Sequence, residues 1–165
     1  MPRMLIFGMG YCTSRLAQRL RAEGWEVIGT RREARDGALA FDDGASVLAA
    51  LESASHVLSS VPPGRDGGEP VLDHYGAAIR SGPLQWSGYL SSTGVYGDAD
   101  GAWVDESAPI GFGRRKARSE ADQRWQALRD DKHVFRLPGI YGPGRSPLDR
   151  VREGKASRID MPGQV

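Results

Sequence analysis

The sequence predicts an α/β fold of three layers, in which an open, doubly wound and mostly parallel sheet carries helices on both faces. Three observations predict it. Short apolar runs of strand character alternate with stretches of helical period from Met4 to Leu137, and that alternation is what a parallel sheet with crossover helices requires. The first apolar run closes in a glycine turn, Gly8-Met9-Gly10, which passes straight into a helical stretch. The 165 residues are one domain in size and can bury a core around a single sheet, and no internal repeat or low-complexity segment argues for another architecture.

Met4 to Phe7 reads as the first strand, and Tyr11 to Glu23 as a helix with Leu16 and Leu20 one turn apart. Gly24 ends that helix, and Trp25 to Gly29 supplies a second strand at the distance a βαβ unit needs. A weaker third strand at Ala38 to Phe41 precedes a helix around Ser46 to Leu51; His56 to Val61 is a fourth strand, stopped by Pro62 and Pro63. Val71, Leu72, Tyr75, Ala78 and Ile79 follow helical spacing, and Gln85 to Ser91 returns to strand. A loop rich in Gly and Asp from Gly94 to Gly113 leads to a helix with Ala117, Ala121, Trp125 and Leu128 on one stripe. Glu120 and Arg124 are one turn apart on it and are expected to pair. His133 to Leu137 is the sixth strand. Beyond Pro138 the chain turns Gly- and Pro-rich, offers a short helix at Leu148 to Glu153, and reaches Met161 to Val165 without a closing element, so a longer protein is expected.

Composition narrows the partners. Lys and Arg number 22 against 21 Asp and Glu, a net charge of +1 that draws the chain neither to nucleic acid nor to an acidic membrane. A small-molecule partner is expected, and a homodimer stays open. The single cysteine, Cys12, forms no internal disulfide, and no apolar run approaches the roughly 20 residues of a membrane span. The N-terminal apolar run of four residues is too short for a secretory leader, so a cytoplasmic location is expected. His56, His74 and His133 lack ligand spacing, and no metal site is expected.

The glycine turn carries the chemistry. Gly8 permits the tight turn, Gly10 leaves room for a pyrophosphate beside the backbone, and the helix that follows aims free amides and the positive end of its dipole at an anion. Between the first strand and the first helix, this pattern reads as a dinucleotide-binding Rossmann fingerprint. Thr13 stands where its third glycine would be, and Tyr11 is expected against the loop. Cys12 reads as a small packed residue, with no histidine nearby in sequence to activate it. After the second strand, where an NAD-binding chain places an acid for the ribose 2′-hydroxyl, this one has Thr30-Arg31-Arg32. A hydroxyl and two guanidinium groups suit a 2′-phosphate, so NADP(H) is the expected cofactor, with NAD(H) the alternative.

Further runs resemble a known family: Ser91-Ser92-Thr93-Gly94-Val95-Tyr96-Gly97 after the fifth strand and Arg136-Leu137-Pro138-Gly139-Ile140-Tyr141-Gly142-Pro143-Gly144 after the sixth. With the Gly8/Gly10 loop they resemble the extended and atypical short-chain dehydrogenase/reductase superfamily, of the NAD(P)-dependent epimerase/dehydratase type. Val57 to Pro63 and Tyr89 to Asp98 are similar, more narrowly, to its YeeZ-like subgroup. The resemblance implies a cofactor domain over residues 1–138 and the start of an incomplete C-terminal substrate lobe over 139–165. It implies Asp42 near the adenine ring, although Asp42-Asp43-Gly44 also reads as a helix-capping turn.

For chemistry it implies Ser92 as the hydroxyl on the substrate oxygen and Lys116 as the lysine that holds the nicotinamide ribose. The family's proton-transferring tyrosine falls on Phe112, which has nothing to ionise. Tyr96 and Tyr141 are the nearest phenols by motif, and in the family both look structural. Two readings follow: an NADP(H)-dependent oxidoreductase or epimerase/dehydratase on a small carbonyl or sugar-like substrate, or a catalytically impaired NADP(H)-binding sensor or scaffold.

Overall fold

A computed structural model describes residues 1–64, 67–111 and 116–157. Six strands form one sheet: β1 (Arg3–Phe7), β2 (Glu26–Arg31), β3 (Leu39–Ala40), β4 (His56–Ser59), β5 (Trp86–Ser92) and β6 (Lys132–Leu137). Their spatial order is β3-β2-β1-β4-β5-β6, and every pairing is parallel. Leu5 pairs with Ile28 on one side and Val57 on the other, so the winding reverses at β1, between β2 and β4. In such sheets the ligand crevice lies outside the C-terminal ends of the strands at that reversal.

The helices are α1 (Tyr11–Ala22), α2 (Gly44–Ser53), α3 (Pro70–Ser81), α4 (Lys116–Gln126) and the short α5 (Pro147–Arg152). The main core lies between the sheet and α2, α3 and α4, where Phe7 stacks on Tyr75 at 5.4 Å and Tyr89 on Trp125 at 5.3 Å. On the opposite face α1 covers Met4, Ile6, Val27 and Leu58. Three layers are therefore present, as the alternation of strands and helices predicts.

Three details depart from the sequence expectation. The buried side of α1 is Thr13 and Ala17 with Leu20 partly covered, whereas Leu16 is 36 % exposed; a helix this close to the sheet seats small side chains at the contact. β2 runs two residues past Gly29, which carries Thr30 and Arg31 within the sheet. Glu120 and Arg124 do not pair with each other. Glu120 meets Lys116 at 3.4 Å, and Arg124 reaches Asp73 on α3 at 2.7 Å, since a contact along one exposed helix is weak enough for a partner on the next helix to replace it.

Candidate functional site

The reversal point opens into a cleft of about 1050 Å³. Its floor is the loop after β1, from Gly8 to Gly10. One wall is the end of β2 with the residues after it, and the other is the segment from Ser60 to Gly64 after β4. Phe41 and Asp42, after β3, close one end, and Pro70 at the start of α3 also faces in.

The loop is held by hydroxyls. Gly8 has φ +87°, a backbone region where only glycine is at ease, and a Cβ there would stand 2.8 Å from Ser60 Oγ. Gly8 N–H donates to Thr30 Oγ1 at 3.2 Å, and Met9 N–H donates to the Thr30 carbonyl at 3.0 Å. The Thr13 hydroxyl donates to the Gly8 carbonyl at 2.7 Å and accepts from Gly10 N–H at 2.8 Å. Ser60 Oγ donates to the same Gly8 carbonyl, also at 2.7 Å. These bonds occupy the loop's own amides, so the donors left for an anion are the first-turn amides of α1, which no helix carbonyl can satisfy. Beside them, nothing lies within 4 Å of where a Gly10 Cβ would stand. That open space leaves the backbone there accessible to a pyrophosphate.

Arg31 and Arg32 both line the cleft. Arg31 Nε is buried and, among the described residues, has no hydrogen-bond partner. A guanidinium donor withdrawn from water and unmatched is costly unless a ligand completes it. Thr30 is 1 % exposed, and its hydroxyl serves the loop. Asp42 faces the cleft while its neighbour Asp43 caps α2, accepting from Ser46 N–H at 3.2 Å; hydrogen bonding to Ser46 holds the Asp43 carboxyl below its ordinary value. The gap at Gly10 and the orphaned donor on Arg31 both fit a dinucleotide phosphate.

The remaining candidates lie elsewhere. Tyr11 is not among the residues lining the cleft: its hydroxyl donates to the Pro143 carbonyl at 3.0 Å, and the Arg15 guanidinium sits 3.7 Å from its ring centroid. Ser92 ends β5 with Oγ accepting from Gly94 N–H at 3.1 Å. Lys116 begins α4 and is 86 % exposed, beside Glu120. Neither Ser92 nor Lys116 lines the cleft. Phe112 lies outside the described residues. Tyr96 accepts from Arg136 Nη1 at 2.9 Å, and Tyr141 is 77 % exposed. Among the described residues no three His, Cys, Asp or Glu side chains gather as a metal would need, and no helix is long and apolar enough to cross a membrane.

Several site residues escape sequence reasoning. Ser60 is one, visible only once β4 lies beside β1. Glu33 and Arg35 also line the cleft, four or fewer residues past Arg31. Next to Ser92, Asp122 on α4 is fully buried; it accepts from the Ser91 hydroxyl at 2.6 Å and from Arg136 Nη2 at 3.2 Å. Arg136 also donates to the Glu106 carbonyl at 3.3 Å. This network ties the C-terminal ends of β5 and β6 to α4 and to the loop after Gly94. The sequence signal for it is confined to Ser91, Tyr96 and Arg136, within the runs after the fifth and sixth strands; Asp122 and Glu106 carry none.

No family model matches the chain. The protein YeeZ of Escherichia coli K12 is 28 % identical over 182 residues, covering 89 % of this chain and 62 % of YeeZ. A conserved protein of unknown function from Silicibacter pomeroyi is 39 % identical with a TM-score of 0.80, over 99 % of this chain and 62 % of that one. A candidate NAD-dependent epimerase/dehydratase from Methylobacillus flagellatus is 29 % identical with a TM-score of 0.73, over 92 % of this chain and 59 % of that one. The chain thus spans about three fifths of the length of each of these proteins.

Proposed function

We infer the function from the premise that this chain belongs to the extended short-chain dehydrogenase/reductase superfamily, of epimerase/dehydratase type: it is an NAD(P)-binding domain that takes NADP(H) in preference to NAD(H) and serves an oxidoreductase or epimerase/dehydratase acting on a small carbonyl or sugar-like molecule. The observation that carries the reading is the cleft at the strand reversal, lined both by Gly10 with its open space and by Arg31, whose Nε has no partner among the described residues. Residues 1–138 form the cofactor domain and 139–165 begin a substrate lobe. The setting is cytoplasmic, and a homodimer is compatible with it.

The nicotinamide ring supplies hydride chemistry at its C4 when bound. The chain's own part is positioning and polarisation. The first turn of α1 would hold the pyrophosphate, Arg31 and Arg32 would hold the 2′-phosphate, and Asp42 would border the adenine. Ser92 Oγ accepts from Gly94 N–H, which leaves its hydroxyl proton free to donate to a substrate carbonyl oxygen. Lys116 would hold the nicotinamide ribose. Phe112 at the family's tyrosine position favours a second reading, a sensor or scaffold that keeps the cofactor site without turnover.

Titration with NADPH and NADH, followed through the four tryptophans, tests the first claim. NADPH should bind at least about tenfold more tightly, as charge-assisted bonds to a phosphate imply; equal or tighter NADH binding overturns it. Consumption of NADPH in a screen of carbonyl substrates, reduced by Ser92→Ala, supports the enzyme. Turnover unchanged by that substitution removes Ser92 from the chemistry, and no turnover across the screen favours the sensor.

A further inference from the structure

The cleft lining carries more charge than Arg31, which ends β2, and Arg32, which follows it. Among the described residues lining the cleft, Arg31, Arg32 and Arg35 are cations, and Glu33 and Asp42 are anions. Three against two leaves the lining an excess of one positive charge, and without Arg35 the lining is neutral. A 2′-phosphate brings between one and two negative charges, so the sign of that excess decides whether the lining attracts or tolerates it.

The backbone at Arg35 is fixed by a turn. Asp36 and Gly37 have φ +52° and +75°, and Ala38 N–H donates to the Arg35 carbonyl at 2.9 Å. Two consecutive positive φ values closed by that bond make a tight reverse turn for which Asp-Gly is a favoured pair. The turn hangs from a connection anchored at both ends, since Thr30 pairs with Leu39 and Arg31 with Ala40. The Arg35 side chain meets Asp36 at 3.9 Å with the two side chains 68 % and 78 % exposed, a contact too weak to compete with a phosphate.

We propose that Arg35 is a specificity-determining residue of this cleft: held by the Asp36-Gly37 turn, it joins Arg31 and Arg32 around the 2′-phosphate and supplies the charge that selects the phosphorylated dinucleotide over its unphosphorylated counterpart. The proposal rests on the reading of the cleft as an NADP(H) site. It separates Arg35 from a residue that merely supports the loop, because the effect falls on one cofactor alone.

The test is titration of wild type, Arg35→Ala, Arg35→Lys and Arg35→Glu with NADPH and with NADH, with thermal unfolding of each variant alongside. Arg35→Ala should weaken NADPH by about tenfold and leave NADH within about twofold. Arg35→Lys should recover part of the loss, and Arg35→Glu should bind NADH as well as or better than NADPH, all with unfolding temperatures near wild type. A wild type that favours NADPH, with Arg35→Ala keeping the same ratio or losing both cofactors equally, overturns the role of Arg35 alone. A wild type without preference for NADPH overturns the reading of the cleft and this proposal with it.

Discussion

Thr13 stands where the phosphate-loop fingerprint has its third glycine, and its hydroxyl takes up the work of holding the loop by binding both Gly8 and Gly10. The residue is 1 % exposed, so those bonds are made away from water, where an unmade bond costs most. Thr13→Val keeps the shape and removes the hydroxyl, leaving the Gly10 amide without that acceptor. The substitution should lower stability by about 1–3 kcal/mol in a denaturant titration and weaken NADPH and NADH together. A loss confined to NADPH would mean that Thr13 acts on the 2′-phosphate end instead. That Thr13 departs from the fingerprint is legible in the sequence. That it bonds Gly8 and Gly10 together is not, because the register of a side chain inside a tight turn depends on where β2 and Ser60 press on it.

The ends of β5 and β6 are joined to α4 through Asp122, which accepts from Ser91 and pairs with Arg136; the Asp122 and Arg136 side chains are 0 % and 12 % exposed. A buried pair stabilises little by its own attraction, yet removing one partner strands the other charge. Arg136→Ala should therefore cost about 3–5 kcal/mol and loosen the segment after Gly94, which Arg136 holds through Tyr96 and Glu106. Arg124→Ala breaks a pair of nearly equal exposure, 42 % and 43 %, and should cost no more than about 1 kcal/mol. Urea midpoints for the two variants give the comparison, and equal losses would contradict it. The helix and both strands were readable from their apolar periods, and so was a cation at Arg136 within the family-like run. The partner was not: Glu120 and Arg124 look paired along the helix, while the pairs that form cross to α3 or run back to Lys116. Periodicity says which face of an element is apolar, and ion pairs follow which element lies next to it.

At the scale of the whole molecule, Glu69 is a charged group among the described residues that lies buried in the core. Glu69 is 0 % exposed and caps α3 at Leu72 N–H, and its Oε1 has no partner among the described residues. Burial raises its pKa above the ordinary 4.5. A carboxyl with a raised folded pKa binds more protons folded than unfolded, so its contribution is full below about pH 4.5 and is lost as pH rises through the raised value. Glu69→Gln should then raise the unfolding temperature at pH 7 to 8 relative to wild type and gain nothing near pH 4. A benefit independent of pH would argue against a buried charge as the cause.

The sequence by itself determined the order of strands and helices, the glycine turn between the first strand and helix, the run of cations after the second strand and the family resemblance. All of these are properties of neighbours along the chain, where the period of apolar residues and the freedom of glycine act directly. Only the tertiary structure decided that Ser60 and Thr30 brace Gly8, that Asp43 caps α2 while Asp42 faces the cleft, that Glu69 is buried, and that Arg35 stands on the same wall as Arg31. Those facts depend on which strands lie side by side and on how a turn of positive φ aims its neighbours. Strand order is set by packing the whole sheet against its helices, which no local stretch of sequence contains.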